Sequence, residues 1–130
     1  MRIRSLKLPE LKEVGNSFAF ACHSLANLSL PKLEKVRDWF AFRCYYLVSL
    51  ELPELKEVGN SFAFSCHSLA TLDLPKLERA GTGFARDCAS LANLNLPKLE
   101  KAGVCFALDC PSLPKEAIPA CVSDPRSYRR

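Results

Sequence analysis

A chain of 130 residues, 48% apolar and with a net charge of +4, is a single domain long enough to bury a core and too mildly basic to be read as a nucleic-acid binder. No apolar run is long enough for a membrane span. The seven cysteines are an odd number, which argues against a complete disulfide framework, so reduced thiols are expected.

The dominant feature is a repeat. Pro9, Pro31, Pro53, Pro75 and Pro97 lie 22 residues apart, and Pro119 falls on the same grid. Each unit reads L-x-x-L-x-L-P-x-L-x-x-(V/A)-x-x-x-F-A-x-x-C-x-S. A fixed period of this length predicts a solenoid, because one unit cannot hide its apolar face alone and stacked units share a core.

In chain order, Met1 is followed at once by the first strand, without the apolar run of a leader. The expected location is cytoplasmic if the chain is complete, and the cell surface or outside the cell if it is a segment of a longer protein. Arg2, Arg4 and Lys7 would guard the first strand edge; otherwise self-association through this N-terminal edge is expected.

The L-x-L-P stretch alternates with period two and predicts a short strand, with successive copies forming a parallel sheet at about 4.8 Å spacing. Proline closes each strand, where its missing donor does no harm. Outward positions of these strands include Asn27, Ser29, Ser49, Glu51, Thr71, Asp73, Asn93 and Asn95, a polar and mildly acidic face that is one candidate binding surface. Six columns should point inward, beginning at Ile3, Leu6, Leu8, Leu11, Val14 and Phe18 and recurring each period. Burial of each such side chain is worth roughly 1.5–3 kcal/mol.

After each proline the charges alternate, so that Glu10, Lys32, Glu54 and Lys76 should stand side by side with opposite signs. The column Gly15, Gly59, Gly81 and Gly103 marks a backbone site that needs either positive φ or close approach. The stretch from Phe18 to Cys22 and its copies is too short for a long helix and predicts a tight turn, of 3₁₀ type or similar. Cys22, Cys44, Cys66, Cys88 and Cys110 form a column read as core packing. The dipeptides Cys22-His23 and Cys66-His67 resemble metal ligands, but they lie two coils and about 10 Å apart, too far for a shared zinc. Cys105 and Cys121 break the grid; with Cys110 they offer a local bridge.

Coil two departs from its neighbours. Arg37-Asp38-Trp39 replaces Gly-Asn-Ser, and Arg43, Tyr45 and Tyr46 stand where other coils carry smaller residues. Trp, Tyr and Arg are the side chains most enriched at binding hot spots. Trp39, Arg43, Tyr45 and Tyr46 are therefore the second candidate surface, the bland alternative being that Trp39 and Tyr46 cover neighbouring phenylalanine edges. The pattern decays after Leu113, where Pro111, Pro114, Pro119 and Pro125 block further strands.

The order L-x-x-L-x-L-P, aliphatic-Gly, Phe-Ala and Cys resembles the BspA-like leucine-rich repeat family over about residues 3–119. The family usually reads Ala-Phe where this chain has Phe-Ala, as at Phe18-Ala19. The resemblance implies mostly surface-associated or secreted proteins that bind other macromolecules. The fold class expected is a leucine-rich-repeat solenoid of about five coils over residues 1–119: a parallel β-sheet of short strands, with short turns or 3₁₀ segments in each 22-residue coil. A flexible, solvated tail is expected over 120–130: its three arginines offer a contact to nucleic acid or acidic lipid, but no basic stripe runs through the repeats. No Ser/His/Asp set, paired carboxylates or phosphate loop emerges. The expected function is a non-catalytic interaction module for a protein or surface ligand, with no cofactor, metal or small-molecule substrate; the alternative is a structural segment of a longer array or surface adhesin, assembling end to end.

Overall fold

The structure, a computed structural model, describes residues 3–122. Each coil contributes two short strands. The first set is β1 (Ser5–Lys7), β3 (Asn27–Ser29), β5 (Ser49–Glu51), β7 (Thr71–Asp73) and β9 (Asn93–Asn95), falling on the L-x-L stretch as expected. The second set is β2 (Glu13–Val14), β4 (Lys35–Val36), β6 (Glu57–Val58), β8 (Arg79–Ala80) and β10 (Lys101–Ala102), which the alternation of the sequence does not announce. All pairing is parallel, with each residue set beside its copy in the next coil, as in Leu6 beside Leu28 and Leu28 beside Leu50. The second set forms one continuous five-stranded sheet. The first set is interrupted: β1, β3 and β5 form one sheet, β7 and β9 another, and no strand pairing joins β5 to β7.

The third side of each coil is neither strand nor 3₁₀ helix. It is a run of turns in which every second residue has positive φ, as at Trp39 (64°), Ala41 (55°) and Arg43 (58°). Left-handed backbone costs roughly 1–2 kcal/mol per non-glycine residue, and two features offset it. Positions of this kind are mostly Ser or Ala, whose small side chains limit the clash. The turns also hydrogen-bond between coils: Trp39 N–H donates to the Asn60 carbonyl (2.8 Å), Ala63 N–H to Phe40 (2.9 Å) and Arg43 N–H to Phe64 (2.7 Å). This conformation lets consecutive Phe40 and Ala41 both be fully buried, which the strict alternation of an extended strand forbids. Among the described residues the one 3₁₀ segment is Lys115–Ala117, beyond the last strand.

The core is a set of columns. Phe18, Phe40, Phe62, Phe84 and Phe106 stand in single file with ring centroids 5.6, 5.4, 5.3 and 5.0 Å apart and planes within 9° of parallel. Offset stacking of this kind adds about 0.5–1.5 kcal/mol per pair beyond the area buried. The inward columns are buried in the middle coils apart from half-buried Leu50; in coil one Leu6, Leu8, Leu11, Val14 and Phe18 are half-buried, and Ile3 is 49% exposed. The first-coil face is an apolar concavity of about 410 Å³ lined by Ile3, Leu6, Phe18 and Leu25 among others. At the other end Ile118 and Val122 pack against the core. Arg2 and the tail arginines lie outside the described residues.

The glycine column serves close approach, not positive φ. An added Cβ at Gly81 would lie 2.8 Å from the Gly59 carbonyl carbon, and at Gly59 2.8 Å from that of Arg37. At Gly15, with no coil beneath, it would meet nothing within 4 Å. Gly81→Ala is therefore expected to lose about 1–3 kcal/mol of stability by overpacking, and Gly15→Ala almost none. Urea-unfolding midpoints test this, and equal midpoints for the two variants would refute the close-approach account.

Candidate functional site

The two sets of candidate residues lie in different places. On the strand face, Asn27 Nδ2 donates to Ser5 Oγ (3.2 Å) and Asn95 Nδ2 to Asp73 Oδ1 (3.0 Å). Asn27, Glu51, Thr71, Asp73, Asn93 and Asn95 are exposed, while Ser29 and Ser49 are half-buried. The interruption between β5 and β7 divides these residues into one patch on coils two and three and another on coils four and five.

The coil-two residues lie on the turn side and at its corner with the strands. Trp39 is 43% and Tyr46 64% exposed. Arg43 is exposed, with its guanidinium carbon 5.3 Å from the Phe42 ring centroid. Tyr45 is the middle ring of a second stack, between His23 (4.9 Å) and His67 (5.0 Å). Tyr46 walls a shallow groove with Arg4, His23, Ser24 and Ala26. Within the substituted triplet, Asp38 keeps the work of the asparagine it replaces. Its Oδ1 accepts the Asn60 N–H (2.8 Å), as Asn16 Oδ1 accepts from Asp38 (3.0 Å) and Asn60 Oδ1 from Thr82 (2.9 Å). Within the triplet, Asp38 thus preserves the scaffold, while Trp39 puts a large exposed ring where coils one and three have serine.

A further aromatic file escapes the consensus because it falls on one of its unspecified positions. Phe20, Phe42 and Phe64 stack at 5.0 and 4.9 Å, and Arg86 lies over Phe64 at 5.9 Å. Reading that column by period, Phe20, Phe42, Phe64, Arg86, Leu108, would have revealed it. The turn segments 17–26, 39–48 and 61–70 hold no carboxylate, and Arg43 is their one Lys or Arg. Coils four and five place Asp87 and Asp109 in the column of Arg43. Asp87 Oδ2 accepts from Ser65 Oγ (2.8 Å) and lies 3.4 Å from His67 Nε2. The turn side thus has an aromatic, cationic half and an acidic half.

The expected charge ladder is present on the opposite side. Lys32 pairs with Glu10 (3.0 Å) and Lys76 with Glu54 (2.8 Å), while Glu57 takes both Arg79 (2.8 Å) and Lys35 (3.6 Å). Hydrogen bonds from Lys76 and Arg79 hold the Glu54 and Glu57 carboxyls below the usual range. These exposed pairs fix register more than they stabilise.

The cysteines are free, and four of the five in the column are buried. Each buried thiol donates to a carbonyl of the coil before it: Cys44 to Ala19 (2.9 Å), Cys66 to Ala41 (3.1 Å), Cys88 to Ala63 (3.0 Å) and Cys110 to Ala85 (3.0 Å). The column is thus a hydrogen-bonding element as well as apolar filling. Cys66 is buried and its neighbour His67 exposed, so the two do not converge. Among the described residues no group of three His, Cys, Asp or Glu is placed to hold a metal ion, and no helix is long and apolar enough to cross a membrane.

The model of the BspA type leucine-rich repeat region matches residues 1–120, in six copies. The chain belongs to this family. The solenoid of BspA-type repeats also superposes on solved structures. A leucine-rich repeat protein from Bacteroides ovatus matches with a TM-score of 0.64 at 23% identity, over 98% of this chain and 42% of that one. A leucine-rich repeat protein of T. pallidum matches with a TM-score of 0.49 at 20% identity, over 88% of this chain and 79% of that one. This chain therefore spans well under half the length of the Bacteroides protein. No curated protein matches it. At 23% identity the likeness to the Bacteroides protein shows the solenoid fold alone and leaves recognition to be argued from the chain's own surface.

Burial pushes the Cys44 thiol up to about 11 and raises that of Cys66 as well. In the unfolded chain these thiols ionise from about pH 8.5, while the folded chain keeps them protonated. The folded state then binds more protons, so this contribution to stability is complete below pH ~8.5 and declines as pH rises toward the folded values. Two results are expected. The unfolding midpoint should fall on titration from neutral to alkaline pH, and in the native protein at neutral pH a thiol reagent should modify exposed Cys22 and Cys121 well before Cys44, Cys66 and Cys88. Rapid reaction of all seven without unfolding would contradict the packed column.

Proposed function

We propose that this BspA-type solenoid is a non-catalytic interaction module that recognises a protein partner through the turn side of coil two, with Trp39, Arg43, Tyr45 and Tyr46 as its anchors. The observation that carries this reading is the exposure of Trp39 and Tyr46 on a coil whose scaffold works equally well with serine at both positions, as in coils one and three. Trp39 also occupies a position with φ of 64°, where a bulky side chain is least comfortable. Core packing explains neither residue. Stacking adds support: Tyr45 is held on both faces by histidines and Phe42 by its file, so the surface is rigid before a partner arrives and little side-chain entropy is lost on binding. The strand face is the weaker candidate, since several of its polar groups already bond along the column and its sheet is divided.

A second reading, a structural segment stacked within a longer array, draws on the uncovered apolar face of coil one around Ile3, Leu6 and Phe18. It requires no specific partner and leaves the coil-two aromatics without a role.

The test is affinity capture from an extract of the source cell with three baits: the wild type, Trp39→Ser combined with Tyr46→Ser, and the strand-face control Glu51→Gln combined with Asp73→Asn. Proteins retained by the first and third baits and lost from the second are expected. Equal retention by all three would remove the coil-two face from consideration.

A further inference from the structure

The turn side carries a symmetry that its columns make visible. Trp39, Arg43, Tyr45 and Tyr46 of coil two each have a small or oppositely charged counterpart in the same column of coil four, two coils away. Trp39 shares its column with Gly83, which has no side chain. Arg43 shares its column with Asp87, and Phe42 shares its column with Arg86. Tyr45 corresponds to Ala89. Coil three, between them, presents half-buried Ser61 and Phe64, while Ser65 is buried.

From this we infer that the turn side pairs with the turn side of a second copy, antiparallel, about a two-fold axis lying along coil three. The inference rests on the coil-two face being the recognition surface and names its partner. A two-fold axis in that position keeps every column over itself and exchanges coil two with coil four. Trp39 of one protomer then lies over Gly83 of the other, where no side chain opposes it. Arg43 meets Asp87, whose half-exposed carboxylate already accepts from Ser65 and faces His67. Arg86 reaches Phe42, extending the arginine-over-ring contacts that each chain makes within itself at 5.3 and 5.9 Å. Each contact occurs twice, as an isologous interface requires. A two-fold axis parallel to the solenoid would set coil two against coil two with its columns reversed, so that Trp39 no longer meets Gly83 and Arg43 no longer meets Asp87. Shifting the axis by one coil breaks the Trp39–Gly83 and Arg43–Asp87 matches together. This association is lateral and closed, and it leaves the apolar end of coil one uninvolved.

The column itself supplies the test. Arg43 and Asp87 have nearly the same backbone, with φ of 58° and 60°, so each position can take the other's residue without new strain. Sedimentation equilibrium on the purified protein over a concentration series should show a monomer–dimer equilibrium that stops at two. Arg43→Asp alone, or Asp87→Arg alone, sets like charges together at both copies of the contact and should weaken the dimer at least about tenfold in Kd. The double variant Arg43→Asp with Asp87→Arg restores opposite charges and should return Kd to near the wild-type value. Trp39→Ser should weaken the dimer without touching any charge, and circular dichroism on each variant confirms the fold. A wild type that stays monomeric throughout, mass that grows beyond two, or a folded double variant no tighter than the single ones would overturn the two-fold pairing. A monomeric wild type whose captured proteins still depend on Trp39 and Tyr46 would defeat this pairing alone and leave the coil-two recognition reading standing.

Discussion

The spacing between coils is the constraint on which the rest depends. Parallel backbone hydrogen bonds hold adjacent chain segments about 4.8 Å apart, and the 22-residue period places identical positions over one another. Flat rings fit that spacing, as the phenylalanine centroids at 5.0–5.6 Å show. So do small hydrogen-bonding groups that pass a bond from coil to coil, such as the thiol of Cys66 to Ala41 or the Asn16–Asp38–Asn60 side-chain ladder. A Cβ at Gly59 or Gly81 does not fit. Each column is thus selected by what can stand on a copy of itself, and a change at one rung is felt by the rungs on both sides.

The turn side shows how far backbone strain is tolerated when hydrogen bonding is complete. Among the described residues fourteen non-glycine residues have positive φ, a conformation single residues visit and runs of residues avoid. Here the strained peptides point their N–H and C=O groups alternately to the coil above and the coil below, and three such bonds cross each junction between coils. The same geometry sends Phe and Ala inward together and leaves the residues at 39, 42 and 43 to face outward. Strain in the backbone is therefore what frees a surface for aromatic and cationic side chains.

Much of this was legible in the sequence because periodicity converts one-dimensional spacing directly into contact. The Phe18 file, the buried leucine columns, the L-x-L strands and the Glu10–Lys32 and Glu54–Lys76 pairs follow from the period alone. Two features did not follow. The second strand in each coil is two residues long, too short for an alternation to register. The left-handed turns carry Ser and Ala, not the Gly or Asn that usually announce positive φ, so Phe18 to Cys22 reads as an ordinary tight turn. Trp39 and Tyr46 stood out as exceptions to the repeat, whereas Phe20, Phe42 and Phe64 were hidden at a position the consensus leaves open. Deviations from a repeat are easy to see; a surface column that obeys the period without being part of the core is not.

The interruption between β5 and β7 bears on which face can recognise anything. Extending the register of the neighbouring pairs, Ser29 beside Glu51 and Asp73 beside Asn95, would set Glu51 directly against Asp73. Two carboxylates face to face on adjacent strands oppose pairing. Asp73 instead turns its carboxylate to the amide of Asn95, away from coil three. Across the same junction the other two sides keep their hydrogen bonds: Lys56 through Arg79 continue the five-stranded sheet, and Ser61, Ser65 and Ala85 continue the turn ladder. The break is therefore local to the strand face and costs the solenoid little. It does deprive that face of continuity, which a binding surface spanning several coils requires, while the turn side keeps its hydrogen-bond ladder and the buried Phe62–Phe84 stack through the junction. The acidic pair that makes the strand face look like a site in the sequence is the feature that divides it in the fold.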